Sequence, residues 1–383
     1  MPRRGENIYK RKDGRWEGRY KKYEDSFGKV HYGYVYAHNY NEVKEKLYNA
    51  KSNQDCINFK PKKSATVKEI CELWLDEVKL QNKYSTYVKY YNTIKNHITP
   101  ILGKCDIQHL DTLQIREFVT EKLSNGRLNG SGGLSPKSVS DCLSVIRLII
   151  AYSNSIGISC NANVKKIKIK EKCSNVAVLT YSQTEKLSNY LVSNIDNINL
   201  GILISLYTGI RLGEICALRF SDISLRDKMM SIKRTMQRIQ NMESDRKTKT
   251  KVIITAPKSE SSIRDIPLPD FIIQLIKKYF FYDTNAYVLS GECNTYVEPR
   301  SFENKFKNVA GKCGIYNVKF HTLRHTFATH SVECGFETKS LSEILGHSSV
   351  NITLNRYVHS SMEMKRINME RLVQKGSFCP SNL

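Results

Sequence analysis

The chain has 383 residues, of which 40% are hydrophobic, enough for two or three domains with cores of their own. No apolar run reaches the roughly 18 residues that a membrane span needs, and the start, Met1-Pro2-Arg3-Arg4-Gly5-Glu6-Asn7, lacks the apolar stretch of a signal peptide, so a cytoplasmic protein is expected. A formal charge of +23 favours a polyanionic partner, nucleic acid ahead of a ribosomal or anionic-membrane surface, because neutralising phosphates releases counterions.

Residues 1–52 open with strand-like segments, Ile8–Lys12 and Arg15–Tyr23, joined by the turn signal Asp13-Gly14. A third strand is expected over Lys29–His38, where Val30, Tyr32, Tyr34 and Tyr36 alternate, and a helix over Asn41–Asn49. Residues 1–64 carry 16 Lys/Arg against 8 Asp/Glu, which suits a strand-in-groove DNA reader, although solvated lysines on an ordinary sheet would read the same way. Residues 53–65 are polar and read as a linker.

A helical domain is expected over 66–163. Thr66 and Glu69 form a capping box ahead of Val67, Ile70, Cys71, Trp74, Leu75 and Val78 at helical spacing. A second helix is predicted over Ser85–His97, closed by Pro100 and Gly103, and a third over Thr112–Leu123. The stretch from Asn125-Gly126 to Gly132-Gly133 is too glycine-rich to be expected to hold structure. Ser135-Pro136 then opens a fourth helix with Val139, Cys142, Leu143, Ile146, Ile149 and Ile150 inward, while Tyr84, Lys89 and Tyr90 are placed on polar faces.

The lysine-rich strip 164–178, with Lys165 and Lys166, shows no clear apolar stripe and reads as an interdomain linker. From 179 to 383 the pattern is mixed α/β and mainly α, with a strand pair at Val252–Pro257 and Ile263–Leu268. The 11 cysteines are scattered and contain no Cys-x-x-Cys pair, so they read as reduced core residues and no metal site is expected.

The chemistry-bearing residues lie in this last part. Thr208-Gly209-Ile210-Arg211-Leu212-Gly213-Glu214 comes first, then Pro257-Lys258-Ser259, then His321-Thr322-Leu323-Arg324-His325. Leu345-Gly346-His347-Ser348 and Asn355-Arg356-Tyr357 follow. Two arginines can hold both non-bridging oxygens of a phosphodiester with paired, charge-assisted bonds. Arg211 alone could equally be half of an ion pair with Glu214, a role compatible with catalysis. An imidazole titrates near the pH needed to move a proton, and a lysine can protonate a leaving hydroxyl. A phenol with a pKa of about 10 must lose its proton during attack. With 22 tyrosines in the chain, Tyr357 stands out only through its neighbours. No metal-ligand triad and no Gly-x-x-x-x-Gly-Lys phosphate loop is present in the sequence.

This ordered set resembles the tyrosine recombinase (phage integrase) family, most nearly the integrases of conjugative transposons and temperate phages of Gram-positive bacteria. The resemblance implies a small three-stranded sheet plus helix as an arm-binding domain, an all-α core-binding domain and a mixed α/β catalytic domain. It implies Tyr357 as nucleophile, Arg211 and Arg324 as phosphate clamps, His321 as proton acceptor or phosphate-placing group, and His347 as a donor to a non-bridging oxygen. Lys258 is the expected general acid, with Lys247, Lys249 and Lys251 as competitors, and Glu214 supports Arg211. His325, His330 and His359 match no catalytic position and are read as structural. Arg15, Trp16, Arg19, Lys21, Lys89, Lys165 and Lys166 are expected DNA contacts. The implied activity is site-specific integration and excision of a mobile element through a 3′-phosphotyrosyl bond, by a homotetramer on double-stranded DNA, without ATP or metal cofactor, and with a directionality factor (excisionase) as a further partner. The rivals are a type IB topoisomerase and a non-catalytic DNA-binding regulator. A helix face formed by Met362, Met369, Leu372 and Val373 could pack on a neighbouring protomer or on its own domain.

Overall fold

The computed structural model describes residues 7–24, 30–55, 65–170, 177–242, 248–257, 260–279 and 283–358, with positions 366, 369 and 370; side chains at 21–24, 51–55 and 260 lie outside this description. Met362, Leu372 and Val373, and with them the helix face expected near the end of the chain, lie outside the described residues. The chain divides into two compact units, Met1–Glu171 and Lys172–Leu383.

In the first unit, β1 (Ile8–Lys10), β2 (Trp16–Glu24) and β3 (Val30–Ala37) form an antiparallel sheet in the order β1-β2-β3. Helix α1 (Tyr40–Asp55) covers one face, burying Val43 and Leu47 against Ile8 and Ala37. Register pairs Glu17 with Tyr36 and Arg19 with Tyr34, so these side chains share the opposite face, where Tyr32, Tyr34 and Tyr36 are exposed. The helix reaches Asp55, past the expected linker start at 53.

The helical part begins at α2 (Val67–Gln81), whose capping box is in place: Glu69 N–H donates to Thr66 Oγ1 and Thr66 N–H to Glu69 Oε2. Its six expected inward residues are all buried. The chain continues through α3 (Tyr84–Thr93), a π-turn (Ile94–Ile98) and α4 (Thr99–Leu102). Pro100 therefore does not close the helix as the sequence suggested. Proline collides with the carbonyl four residues back, and the turn widens instead, with Thr99 N–H donating to Ile94 O. Helices α5 (Thr112–Asn125) and α6 (Pro136–Ser155) complete the core, each with a polar N-cap, Asp111 and Ser135.

Three further expectations are corrected here. The glycine-rich stretch before α6 is a defined turn, with Arg127 N–H donating to Gly132 O and Gly130 N–H to Arg127 O. Tyr90 is not on a polar face but packs on Trp74, with ring centroids 5.1 Å apart. The basic strip is apolar on one side, since Val164 and Ile167 are buried in this unit's core beyond the expected boundary at 163, leaving Lys165 and Lys166 exposed.

The second unit is built on α7 (Tyr181–Ser193) and α8 (Asn197–Thr208), the latter apolar nearly all round and buried at nearly every turn. After α9 (Leu212–Cys216), strands β4 (Ile223–Ser224) and β5 (Met229–Ile232) pair antiparallel. Strands β6 (Thr235–Gln240) and β7 (Thr250–Thr255) form a separate hairpin, and β8 (Arg264–Pro267) returns to pair with β5. The two strands that the sequence suggested as partners thus belong to different sheets. Helices α10 (Asp270–Tyr279), α11 (Pro299–Lys312), α12 (His321–Glu333), α13 (Thr338–Leu345) and α14 (Val350–Tyr357) follow. Among the described residues, no helix is long and apolar enough to cross a membrane. Of the described cysteines, Cys71, Cys142, Cys160 and Cys216 are buried thiols, whereas Cys334 is exposed and does not fit the core reading.

Candidate active site

The Arg211 motif and the Leu345-Gly346-His347-Ser348 motif each contribute a helix-ending glycine. Gly209 closes α8 at φ +63° and Gly346 closes α13 at φ +63°, a left-handed conformation that costs other residues energy. At Gly346 the end is a Schellman motif: Gly346 N–H donates to Glu343 O and His347 N–H to Ser342 O. The carbonyls turned out by these ends hold the arginines. Arg324 donates to Gly209 O at 2.8 Å and to Leu345 O at 2.7 Å, while Arg211 donates to Gly346 O at 2.6 Å. The end of α13 therefore holds both guanidiniums, and the end of α8 holds that of Arg324 as well.

Glu214, 3% exposed, lies behind this arrangement. It accepts from Arg211 Nη1 at 2.7 Å and from the Arg211 backbone N–H at 3.0 Å. It also accepts from Arg264 at 2.9 and 3.2 Å, and Arg264 in turn donates to Ile344 O at 2.6 Å. Burial alone would raise the Glu214 carboxyl, but Arg264 and Arg211 outweigh it and hold the group below the ordinary carboxylate range. Arg264 carries no motif signal, and the sequence reading missed it; what betrays it is only the fold, which pairs β8 with β5 and points the side chain at Glu214.

Tyr357 ends α14 and is 6% exposed. Burial raises its hydroxyl, while Arg324, Arg356 and Arg211 pull it back. Its oxygen is hydrogen-bonded to His325 Nδ1 at 2.8 Å. The rings of His347 and Tyr357 lie parallel with centroids 6.4 Å apart, and His347 Nδ1 is hydrogen-bonded to the buried Thr353 Oγ1 at 2.8 Å. His321 opens α12 and meets the His325 ring edge-on at 4.5 Å. Its ring is reachable by solvent yet closely surrounded, and desolvation followed by Arg324, Arg356 and Arg211 pushes it down to about 4. His347 is also pushed down to about 4, by burial and then by Arg324 and Arg211. Arg324, lowered to about 9 by burial and by Arg211 and Arg264, stays protonated at neutral pH.

One open cleft is lined by Arg211, Thr235, Pro257, Ser262, Gly346 and His347. Lys258 and Lys247 lie outside the described residues, as does His359; Lys251 sits within β7 rather than before it. Of the expected DNA contacts, Arg19 lies 4.4 Å over the Tyr32 ring, and Arg15 is 5.9 Å from Tyr36 and ion-paired to Asp13. Arg11, not singled out in the sequence, joins this face over Tyr36 at 5.6 Å. Trp16 is corrected: its register opposite buried Ala37 turns it inward, edge-on to Tyr40 at 5.2 Å. Lys89 is ion-paired to Asp141 at 3.3 Å, and the Lys21 side chain is outside the described residues.

Comparison with known proteins matches residues 177–364 to the phage integrase family and residues 66–123 to the phage integrase N-terminal SAM-like domain. The chain belongs to the phage integrase family of tyrosine recombinases. It is 26% identical over 353 residues to a XerC-like tyrosine recombinase of Caldanaerobacter subterraneus subsp. tengcongensis, covering 86% of this chain and 87% of that protein. It is 27% identical over 221 residues to the Tn916 transposase of Enterococcus faecalis, covering 51% of this chain and 52% of the relative. The recombinase also shares its fold with the Tn1549 transposon integrase solved with a circular intermediate DNA, at TM-score 0.63 and 20% identity over 79% of this chain and 99% of that one. Lambda integrase on a core site is similar at TM-score 0.55 and 17% identity, covering 94% and 97%.

Proposed function

We propose that this tyrosine recombinase integrates and excises a mobile element, cutting each strand by attack of Tyr357 on a phosphodiester and resealing it through the 3′-phosphotyrosyl bond. The observation that carries this reading is the convergence of Arg211, Arg324, His347 and Tyr357 in one cross-braced cluster. The guanidiniums neutralise charge building on the phosphoryl oxygens, and His347 donates to one of them. Lys258 protonates the departing 5′-oxygen; its chain neighbour Pro257, and Ser262 four residues further on, border the cleft that Arg211 and His347 line, which supports it over Lys249 and Lys251.

The exposed Tyr32, Tyr34 and Tyr36 face with Arg11, Arg15 and Arg19 is a surface for additional element-specific sites. In the division of labour proposed here, residues up to 55 read these arm sites, 66–170 hold the core site and 177 onward cut. The likeness to transposon enzymes favours an element over chromosome upkeep. Action as a tetramer in the cytoplasm, with a directionality factor for excision, belongs to the same proposal.

A nicked duplex built from the DNA flanking the gene, incubated with the full chain in EDTA without ATP, tests it. A denaturation-resistant protein–DNA adduct that disappears with Tyr357→Phe is the expected result. Tight binding without an adduct would leave only a DNA-binding role.

A further inference from the structure

The nucleophile's hydrogen-bond partner is not the histidine that the motif pattern nominates. Among the described residues, the imidazole bonded to Tyr357 Oη is His325, at 2.8 Å, with the residue 8% exposed and its ring centroid 5.7 Å from that of the phenol. His321, four residues earlier on the same face of α12, contacts the His325 ring edge-on instead. We propose that His325 is a further catalytic residue of the strand-cleavage reaction, whose Nδ1 accepts the Tyr357 proton as the phenol attacks, leaving His321 to place the phosphate. This rests on the recombinase reading given above.

The step balances within the site. The Oη–H proton moves to His325 Nδ1 while the Oη–P bond forms. The P–O5′ bond breaks, and O5′ takes a proton from the general acid, assigned above to Lys258. When a 5′-hydroxyl attacks the phosphotyrosine, His325 returns its proton to the phenol. Acceptance at Nδ1 requires the neutral tautomer with its proton on Nε2. The surroundings keep the ring neutral: burial first, then His321, Arg356, Arg324 and His347, push His325 down to about 4, so a lone pair is open at pH 7. An entering phosphodiester opposes those cations and raises the basicity of the ring in the complex that reacts. Nothing in the sequence marks His325 apart from its place next to Arg324. A helix puts residues 321 and 325 one above the other, and the end of α14 brings Tyr357 to the second of them.

The test compares wild type, Tyr357→Phe, His325→Asn and His325→Phe in single-turnover adduct formation on the same nicked duplex between pH 6 and 9.5. Binding and melting temperature are followed alongside. Asparagine keeps an oxygen near the Nδ1 position but cannot take a proton. His325→Asn is expected to bind and fold as wild type and to cleave about 100-fold more slowly at pH 7. Its deficit should narrow as pH climbs toward the phenol's own ionisation. Cleavage by His325→Asn within about threefold of wild type overturns the inference, and so does a deficit equal at every pH, which would mean packing alone. If wild type also forms no adduct, the recombinase reading itself fails and takes this inference with it.

Discussion

Replacing Glu214 by glutamine probes what holds the arginines in place. The carboxylate is 3% exposed and bridges Arg211, at the N-terminus of α9, to Arg264, on β8. The amide of Glu214→Gln would keep the shape and one acceptor but would leave Arg211, Arg264 and Arg324 in one pocket without a counter-charge. Removing one partner of a buried pair costs about 3–5 kcal/mol, and the isosteric change belongs at the low end, about 3 kcal/mol. In a unit the size of Lys172–Leu383 each kcal/mol shifts the melting temperature by roughly 2–4 °C, so a fall of roughly 6–12 °C is expected by calorimetry at pH 7. The carboxyl is held below its ordinary range, so its stabilisation is complete above the unfolded value of about 4.3 and disappears as pH falls through the lower folded value. The gap between wild type and Glu214→Gln should therefore be constant above about pH 5 and start to close below about pH 4. A shift under about 2 °C, or a gap that narrows already between about pH 7 and 5, would refute the bracing argument.

Gly346→Ala forces a left-handed φ of +63° on alanine and brings its Cβ to 3.0 Å from the Arg264 side chain, so a loss of roughly 1–2 kcal/mol in chemical denaturation is expected, with adduct formation falling at least about tenfold. Thr353→Val, at a fully buried site, removes the partner of His347 Nδ1; about 1 kcal/mol of stability and about tenfold in cleavage rate should go, with Thr353→Ser restoring both. Lys258→Ala should stop cleavage of an ordinary phosphodiester yet regain activity on a 5′-phosphorothiolate strand, whose sulfur leaves without a proton, whereas Lys249→Ala should cleave both. Because His321, His325 and His347 are all held near 4 against about 6.5 when unfolded, the unfolded chain binds more protons between those values. Thermal stability should thus be flat above about pH 6.5 and fall on acidification toward about pH 4, with a shallower fall in His347→Gln.

The sequence made the helix interiors readable because burial and helical periodicity coincide there: all six apolar positions chosen on α2 and the six chosen on α6 are buried. Capping pairs such as Thr66 with Glu69 are equally local and equally legible. Pairing of strands is not local. The β6–β7 hairpin interrupts the path from β5 to β8, and nothing in the run of apolar residues tells which strand β8 will join. The same limit hid Arg264 and the His325–Tyr357 contact, since both depend on which distant elements meet. Trp16 failed for a different reason: alternation gives two faces of a strand, but not which one the helix covers.

The site divides charge from proton traffic. Its permanent positive charge resides on arginines fixed by carbonyls and by Glu214, groups that do not titrate near neutrality. That same field, with burial, keeps the three imidazoles neutral in the free protein. Neutral imidazoles can each accept at one nitrogen and donate at the other. A phosphodiester adds one negative charge to the pocket, lowers the positive potential at every ring and moves all three toward protonation together. In the proposed reaction, substrate binding thereby raises basicity where a proton is taken from Tyr357 and strengthens donation where a non-bridging oxygen is held. Had lysines stood at 211 and 324, burial would have lowered their pKa values readily, and the field that sets the imidazoles would itself have depended on pH. Arginine at both positions, with its planar fork matched to backbone carbonyls on one side, keeps that field constant around neutral pH while the histidines respond.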